Sequence, residues 1–129
     1  MGFLVVFIGA GFGGALRHAV NLASARLLGI GFPWGTLTVN VAGSFLMGVL
    51  IGYGAQRTGM PQHVRLFLTT GMLGGFTTFS TFSLDTAALW ESHRSLTAAA
   101  YVALSVIGSI AAIFVGMALV RVLFPPVQG

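Results

Sequence analysis

Charged side chains are so sparse in this chain that it cannot build an ordinary water-facing surface. Of its 129 residues, 6% are Asp, Glu, Lys or Arg, whereas 56% are hydrophobic. Soluble domains carry about 25% charged residues, so lipid must replace water around much of this protein. A bilayer core needs about 20 apolar residues per helical crossing. The sequence therefore predicts an all-α membrane protein, with room for four spans and no additional soluble domain.

Turn residues divide the chain into four predicted transmembrane helices within a single domain, 1–129. The predicted helices cover residues 3–28, 36–55, 62–90 and 96–124. The first loop, Gly29–Gly35, contains Pro33 and Trp34, and Pro61 precedes the third helix. Glycine and proline favour turns, and tryptophan favours the headgroup interface. A proline pair, Pro125 and Pro126, is expected to end the fourth helix.

The third predicted helix contains a segment that is poorly suited to an unbroken helix. Residues 71–83 read Gly-Met-Leu-Gly-Gly-Phe-Thr-Thr-Phe-Ser-Thr-Phe-Ser. Glycine weakens a helix, and Ser and Thr offer the backbone alternative hydrogen bonds. At membrane depth a broken helix is tolerated where it is buried in protein or lines a wet cavity. We therefore expect a break near residues 74–79, with an ion or substrate site beside it.

The distribution of arginines among the predicted loops is only a weak signal for the orientation of the helices in the membrane. Four spans put Arg57, Arg65 and Arg121 on one side of the membrane and Arg26 and Arg94 on the other. The cytoplasmic side is the one with more Lys and Arg, and a difference of one residue is small. We therefore expect insertion in both orientations and an antiparallel homodimer, the symmetry that inverted repeats give to larger transporters.

Several classes of function are excluded by the residues present. All six basic residues are arginines spread along the chain, so they form no nucleic-acid-binding patch. Cysteine is absent, which excludes disulfides and thiolate metal sites. His18, His63 and His93 lie near the ends of different spans and form no catalytic or metal-binding set. We expect neither an enzyme nor a nucleic-acid partner.

Neutral polar side chains inside the predicted spans are the candidates for a functional site. They are Asn40, Ser44, the stretch 77–83, Tyr101, Ser105 and Ser109. The last three are spaced by four and share one helical face, as do Phe79 and Phe82, which are three apart. Neutral hydrogen-bond donors and the positive edges of aromatic rings favour an anion over a cation.

Each candidate also has a structural interpretation that the residue pattern leaves open. Ser and Thr often bond their own backbone or a neighbouring helix, and Asn40 can do the same. Phe79 and Phe82 can serve in packing or face lipid. Arg17 is an ionisable residue within a span, which suggests function, but its long side chain can reach the interface. Asp85 can pair with an arginine.

Residues 71–83 resemble the signature of the Fluc family of bacterial fluoride channels, and the similarity extends over nearly the whole chain. Supporting matches are Arg17, Gly35-Thr36-Leu37 followed by Asn40, and Tyr101, Ser105, Gly108 and Ser109. The acidic residue that this family often has after its phenylalanine pair is matched by Asp85. The resemblance implies a fluoride-selective channel in the cell inner membrane that lets fluoride leave the cytoplasm passively.

The resemblance also implies how the channel is assembled and which residues serve it. It implies an antiparallel dimer with two pores and a structural sodium ion at its centre. Backbone carbonyls of Gly74 and Thr77 from each chain would hold that ion, as oxygen ligands suit a hard cation. The implied pore residues are Asn40, Phe79, Phe82 and Ser109, with Thr36 and Tyr101 further along the polar track. Arg17 would lie near a vestibule and attract anions.

Two other classes of function remain open from the sequence. A dual-topology exporter of small hydrophobic cations would need a titratable carboxylate deep in the bundle. Its candidates, Asp85 and Glu91, lie towards the end of the third predicted helix. A purely structural membrane protein would instead assemble with partners, and substitutions at Asn40 and Phe79 would then change stability without changing any ion flux.

Overall fold

A computed structural model describes residues 1–56 and 59–126, and these residues form helices and connecting turns without a strand. The helices are α1 (Gly2–Leu28), α2 (Trp34–Gln56), α3 (Gln62–Leu66), α4 (Gly74–Phe76), α5 (Phe79–Glu91) and α6 (Ser95–Leu123). A π-helical segment, Phe67–Leu73, joins α3 to α4. The prediction of an all-α protein is confirmed. Arg57, which entered the comparison of charges, lies outside the described residues.

Three helices, α1, α2 and α6, are long and apolar enough to cross a membrane. Each exceeds the ~20 residues that a crossing requires. Their ends lie within two residues of the predicted ones. The largest difference is at the start of α2, where the Leu37 amide donates to the Pro33 carbonyl and brings Trp34 into the first helical turn instead of the loop. The chain is thus a multi-pass helical membrane protein.

The third predicted span is divided into several short pieces. α3 has 5 residues, the π-helical segment 7 and α4 3. The backbone is then extended at Thr77 (φ −84°, ψ 158°) and Thr78 (φ −154°, ψ 123°) before α5 begins. The helical conformation is therefore interrupted inside the interval 74–79. That residues 62–90 together cross the membrane as one broken helix remains a prediction.

Glycines let α1 and the π-helical segment approach backbone to backbone. A Cβ atom added at Gly9 would lie 2.8 Å from the Phe67 carbonyl oxygen, and one added at Gly13 would strike the Met72 carbonyl. π-helical turns are rare and often mark functional regions. The sequence did not predict this turn, which lies against a segment 58 positions earlier at the Gly9–Phe67 approach.

The α2 and α6 pair has the most extensive contacts between helices in the described chain. A Cβ atom at Gly48 of α2 would strike the Ile113 carbonyl, and one at Gly116 of α6 would strike the Phe45 carbonyl. Lipid supplies little hydrophobic driving force between helices, so membrane helices associate through close packing of small residues. These two glycines therefore let the pair pack closely.

Few large side chains are buried within a single chain. The core cluster consists of Phe82, Leu89, Ala98 and Tyr101, where α5 packs against α6. Large apolar residues such as Phe3 are almost fully exposed. Contiguous apolar surface of this extent marks contact with a membrane or another protein. The outer surface of the bundle is therefore suited to lipid and to a further chain.

We expect Gly48→Ala to lower the free energy of unfolding in detergent by about 1–3 kcal/mol, the usual cost of overpacking. The added methyl group meets the Ile113 carbonyl on a neighbouring helix. Gly54→Ala on the same helix is the matched control, because nothing lies within 4 Å of its added Cβ. Thermal unfolding followed by circular dichroism measures both variants. Equal destabilisation at the two positions would contradict the packing argument.

His93, between α5 and α6, adopts a left-handed backbone conformation with φ 59°. The Arg94 amide donates to the Leu89 carbonyl at 3.0 Å and the His93 amide to the Trp90 carbonyl at 3.1 Å, as in a Schellman helix end. Glycine is favoured at such a position, because other residues lose about 1–2 kcal/mol there.

His93→Gly is expected to raise the melting temperature and His93→Val to lower it. The opposite order would exclude this interpretation.

Candidate functional site

The interruption between α4 and α5 is held by the side chain of Asn40 on α2. Asn40 Nδ2 donates to the Thr78 carbonyl oxygen at 3.0 Å, and the Thr78 amide donates to Asn40 Oδ1 at 2.8 Å. Thr78 is 8% exposed, so its backbone groups need partners within the protein. One side-chain amide supplies both partners and ties α2 to the interrupted backbone.

Thr78 also caps the start of α5. Its Oγ1 accepts a hydrogen bond from the Thr81 amide at 3.2 Å and lies 3.2 Å from the Thr81 hydroxyl. The first amides of a helix have no partner within the helix, and threonine is a favoured residue for satisfying one of them. This capping role of Thr78 was not predicted from the sequence. The available signal was a threonine directly before a helix-forming run.

Two backbone carbonyls lose the partners that an unbroken helix would give them. In an α-helix the carbonyl of residue i accepts from the amide of residue i+4. The Thr78 amide donates to Asn40 instead of reaching the Gly74 carbonyl. The Thr81 amide donates to the Thr78 hydroxyl instead of reaching the Thr77 carbonyl. The carbonyls of Gly74 and Thr77 are thereby released from helical bonding.

An open groove of about 400 Å³ runs beside the interruption. Six of the residues predicted for the site line it: Asn40, Gly74, Thr77, Phe79, Phe82 and Ser109. They come from α2, α4, the extended residue Thr77, α5 and α6, so the fold gathers residues that are 69 positions apart at the extremes. The remaining predicted residues, Thr36, Tyr101 and Arg17, are not among those that line this groove.

Two hydroxyl groups on α6 line the groove without a hydrogen-bond partner in the described part of the chain. Ser105 Oγ and Ser109 Oγ are both buried. A buried polar group without a partner costs about 1–3 kcal/mol, so such groups call for an explanation in a native protein. A hydroxyl group can donate one hydrogen bond to an anion. Ser105 was recognised in the polar stripe, but its place in the groove came from the structure.

Phe79 and Phe82 stand at the start of α5 in different surroundings. Their ring centroids are 5.5 Å apart, and the Phe82 ring lies 5.2 Å from that of Tyr101. Phe82 is 9% exposed, whereas Phe79 is 78% exposed. Phe82 is therefore fixed by the core while it lines the groove. Phe79 is left with most of its ring uncovered by its own chain.

A second cleft, of about 430 Å³, adjoins the core on the side of the first loop. Its lining includes Asn21, Thr36, Thr81, Asp85 and Arg94. The Tyr101 hydroxyl donates to Asp85 Oδ2 at 3.0 Å, so the partner of this carboxylate is a tyrosine and not the arginine that the sequence suggested. Arg94 Nη1 instead donates to the Gly31 carbonyl at 2.6 Å. Arg17, half-buried on α1, is not among the residues lining this cleft.

These features define a multi-pass helical membrane protein in which a largely apolar groove with a few neutral polar side chains lies beside an interrupted helix. A profile of the family described as "CrcB-like protein, Camphor Resistance (CrcB)" matches residues 4–117, and the chain belongs to this family. A relative from Methylobacterium nodulans, named "Fluoride-specific ion channel FluC", is 59% identical over 118 residues, covering 92% of this chain and 94% of the relative. A relative of the same name from Rhodopseudomonas palustris (strain BisB5) is 52% identical over 121 residues, covering 94% and 98%. The family resemblance read from the sequence is confirmed.

Removing the cap of α5 should destabilise the protein without changing its shape. Thr78→Val keeps the volume of the side chain but loses the oxygen that accepts from Thr81, which should cost about 1 kcal/mol. Thr78→Ser should retain most of the stability. Ser83→Ala serves as the control, because that exposed hydroxyl bonds the Phe79 carbonyl of its own helix. Thermal unfolding in detergent measures the order, and equal stability of the valine and serine variants would argue against the cap.

Proposed function

We propose that this protein is a fluoride-selective channel through which fluoride leaves the cytoplasm passively across the cell inner membrane. The observation that carries the proposal is the chemistry of the groove. Asn40, Ser105 and Ser109 offer neutral donors beside the rings of Phe79 and Phe82, and none of the groove's lining residues carries a carboxylate. Such a lining suits an anion. The shared name of the relatives favours fluoride among the anions.

Passive exit is sufficient for protection against fluoride. Fluoride enters an acid-exposed cell as neutral hydrogen fluoride and is trapped as the anion in the more alkaline cytoplasm. A pore must hold the anion well enough to replace its hydration and weakly enough to release it. Neutral hydroxyl and amide donors, together with ring edges, meet that condition better than a full positive charge in the same place.

The channel is proposed to work as an antiparallel homodimer. The groove is open on the outside of one chain, and both Phe79 and Gly74 are exposed there. A second copy would cover this side and enclose a pathway. A twofold axis uses each contact twice, so an enclosed groove on one chain implies an equivalent groove on the other, and hence two pores. The near balance of arginines across the predicted loops supports insertion in both orientations.

A sodium ion at the centre of this dimer is part of the proposal. Its ligands would be the carbonyl oxygens of Gly74 and Thr77 from each chain. The residues fit such an ion, because the amides of Thr78 and Thr81 bond elsewhere and leave these two hard oxygen donors without helical partners. When bound, the ion would supply a positive charge that draws the two interruptions together and offsets the partial negative charges of the carbonyls.

The remaining predicted residues receive roles along the approach to the groove. Thr36 lines the second cleft, and Tyr101 donates to Asp85 of that cleft while its ring contacts Phe82. They would continue the polar track from the groove. Arg17 would attract anions at a vestibule.

Asp85 favours a different candidate, the small-cation exporter, because it is a half-buried carboxylate. The groove itself offers that exporter no carboxylate, so we retain the channel.

Fluoride efflux from liposomes containing the purified protein tests this function. Efflux is started with a potassium ionophore and read with a fluoride electrode, while chloride is followed in parallel. We expect the wild-type protein to release fluoride and retain chloride. Phe79→Ile and Phe82→Ile are each expected to slow fluoride release about five- to tenfold, because a ring contact is worth about 1 kcal/mol.

Phe114→Ile is the matched control, because this exposed phenylalanine of α6 does not line the groove. It should release fluoride at the wild-type rate. Unchanged rates in both Phe79 and Phe82 variants would refute a role for the rings. Failure of well-folded wild-type dimers to release fluoride would refute the channel itself, and transport of a hydrophobic cation down a proton gradient would support the exporter.

A further inference from the structure

The geometry points to a further role for Asn40 that rests on the proposed function: it is a positioning and specificity-determining residue. The Thr78 backbone fixes which end of the Asn40 amide faces which partner, so that the groove is offered an N–H group of fixed orientation. By this mechanism the groove discriminates the sign of the ion. An amide that could turn over would offer an oxygen to cations as readily as a hydrogen to anions.

The two hydrogen bonds with Thr78 determine the orientation of the amide. An asparagine amide can rotate by half a turn and exchange its oxygen and nitrogen, and its hydrogen-bond network decides between the two states. Here Oδ1 faces the Thr78 N–H and Nδ2 faces the Thr78 carbonyl, at 2.8 Å and 3.0 Å. The rotated state would set donor against donor and acceptor against acceptor. Both hydrogen bonds would then be lost, and the backbone N–H of Thr78, which is buried, would be left without a partner.

A count of hydrogen atoms shows what remains for an ion. Asn40 Nδ2 carries two hydrogens, and the Thr78 carbonyl takes one of them. The second hydrogen is left on a half-buried side chain that lines the groove. Since the amide is already held in position, this donor needs no reorganisation when an anion arrives. Preorganised donors of this kind bind more effectively than mobile ones.

The hydroxyl groups of the groove cannot make this distinction. Ser105 and Ser109 can rotate their hydroxyl hydrogens and present either a donor or a lone pair. They can accordingly stabilise an anion or a cation. Asn40 differs because its polarity is set by the backbone of another segment. The extended backbone at Thr77 and Thr78 therefore also presents both the N–H and the C=O of Thr78 to the Asn40 amide.

Side-chain NMR tests the fixed amide directly in the wild-type protein. The sequence contains two asparagines, Asn21 and Asn40, so asparagine-selective ¹⁵N labelling gives two side-chain NH₂ groups. Spectra of Asn21→Asp identify which pair belongs to Asn40. We expect one Asn40 proton to be protected from exchange with water and unaffected by fluoride, and the other to shift on fluoride addition and not on chloride addition. Two equally exchanging protons, two equal shifts, or no shift with fluoride would overturn the inference.

Ion selectivity supplies a functional test that a purely structural role would not affect. In Asn40→Ser the hydroxyl can rotate freely, so we expect about a tenfold lower ratio of fluoride to potassium permeability in liposomes, a change of about 1.4 kcal/mol. Ser109→Ala is the matched control, because it removes a donor whose orientation is not fixed. That variant should slow fluoride release without changing the ratio. An unchanged ratio in folded Asn40→Ser dimers would overturn the inference.

The two proposals fail in different ways. Wild-type protein that releases no fluoride refutes the channel, whatever the state of Asn40. Wild-type protein that releases fluoride while both Asn40 protons exchange equally with water refutes the fixed amide and leaves the channel standing. If Asn40→Ser does not fold, the wild-type NMR experiment alone decides the matter.

Discussion

The paired hydrogen bonds between Asn40 and Thr78 are the interaction on which the rest of the site depends. They give partners to a backbone that has left the helix, which the low dielectric of a membrane protein otherwise makes costly. They divert an amide from the Gly74 carbonyl. They also hold Thr78 where its hydroxyl begins α5 and so orients Phe79 and Phe82. One neutral side chain thereby couples helix geometry, carbonyl availability and the placement of the aromatic rings.

The surrounding lipid explains why the helices pack closely at glycines and why large apolar side chains remain on the outer surface. Helices in lipid gain little from burying apolar side chains, so contact at Gly9, Gly13, Gly48 and Gly116 brings backbones together instead. The same surroundings allow large apolar side chains to stay outside. A single chain leaves the groove open, and two of its three serine hydroxyls lack partners in the described residues. In the proposed dimer, a second copy would enclose this site.

Structural features with a local physical cause were predictable from the sequence, whereas features that depend on contacts between distant segments were not. Scarce charge and apolar run lengths gave predicted ends within two residues of those of α1, α2 and α6, and the glycine- and threonine-rich stretch contains the extended residues Thr77 and Thr78. The π-helical segment, which contacts α1, was not predicted. The Tyr101 partner of Asp85 was missed because a carboxylate suggests an arginine before it suggests a phenol. Polar side chains within the predicted spans indicated several residues of the groove, but a family resemblance assigned them to one site, since no local pattern reveals that α2, α5 and α6 meet.

The neutral lining of the groove has a consequence for control. None of the fifteen residues that line it has a side chain that ionises in the physiological range. In the proposed channel, the lining of this groove would have the same charge whichever face of the membrane is acid. Acidity would therefore not close this groove by changing the charge of its lining. The proposed channel would instead rely on discrimination between ions to limit a harmful leak.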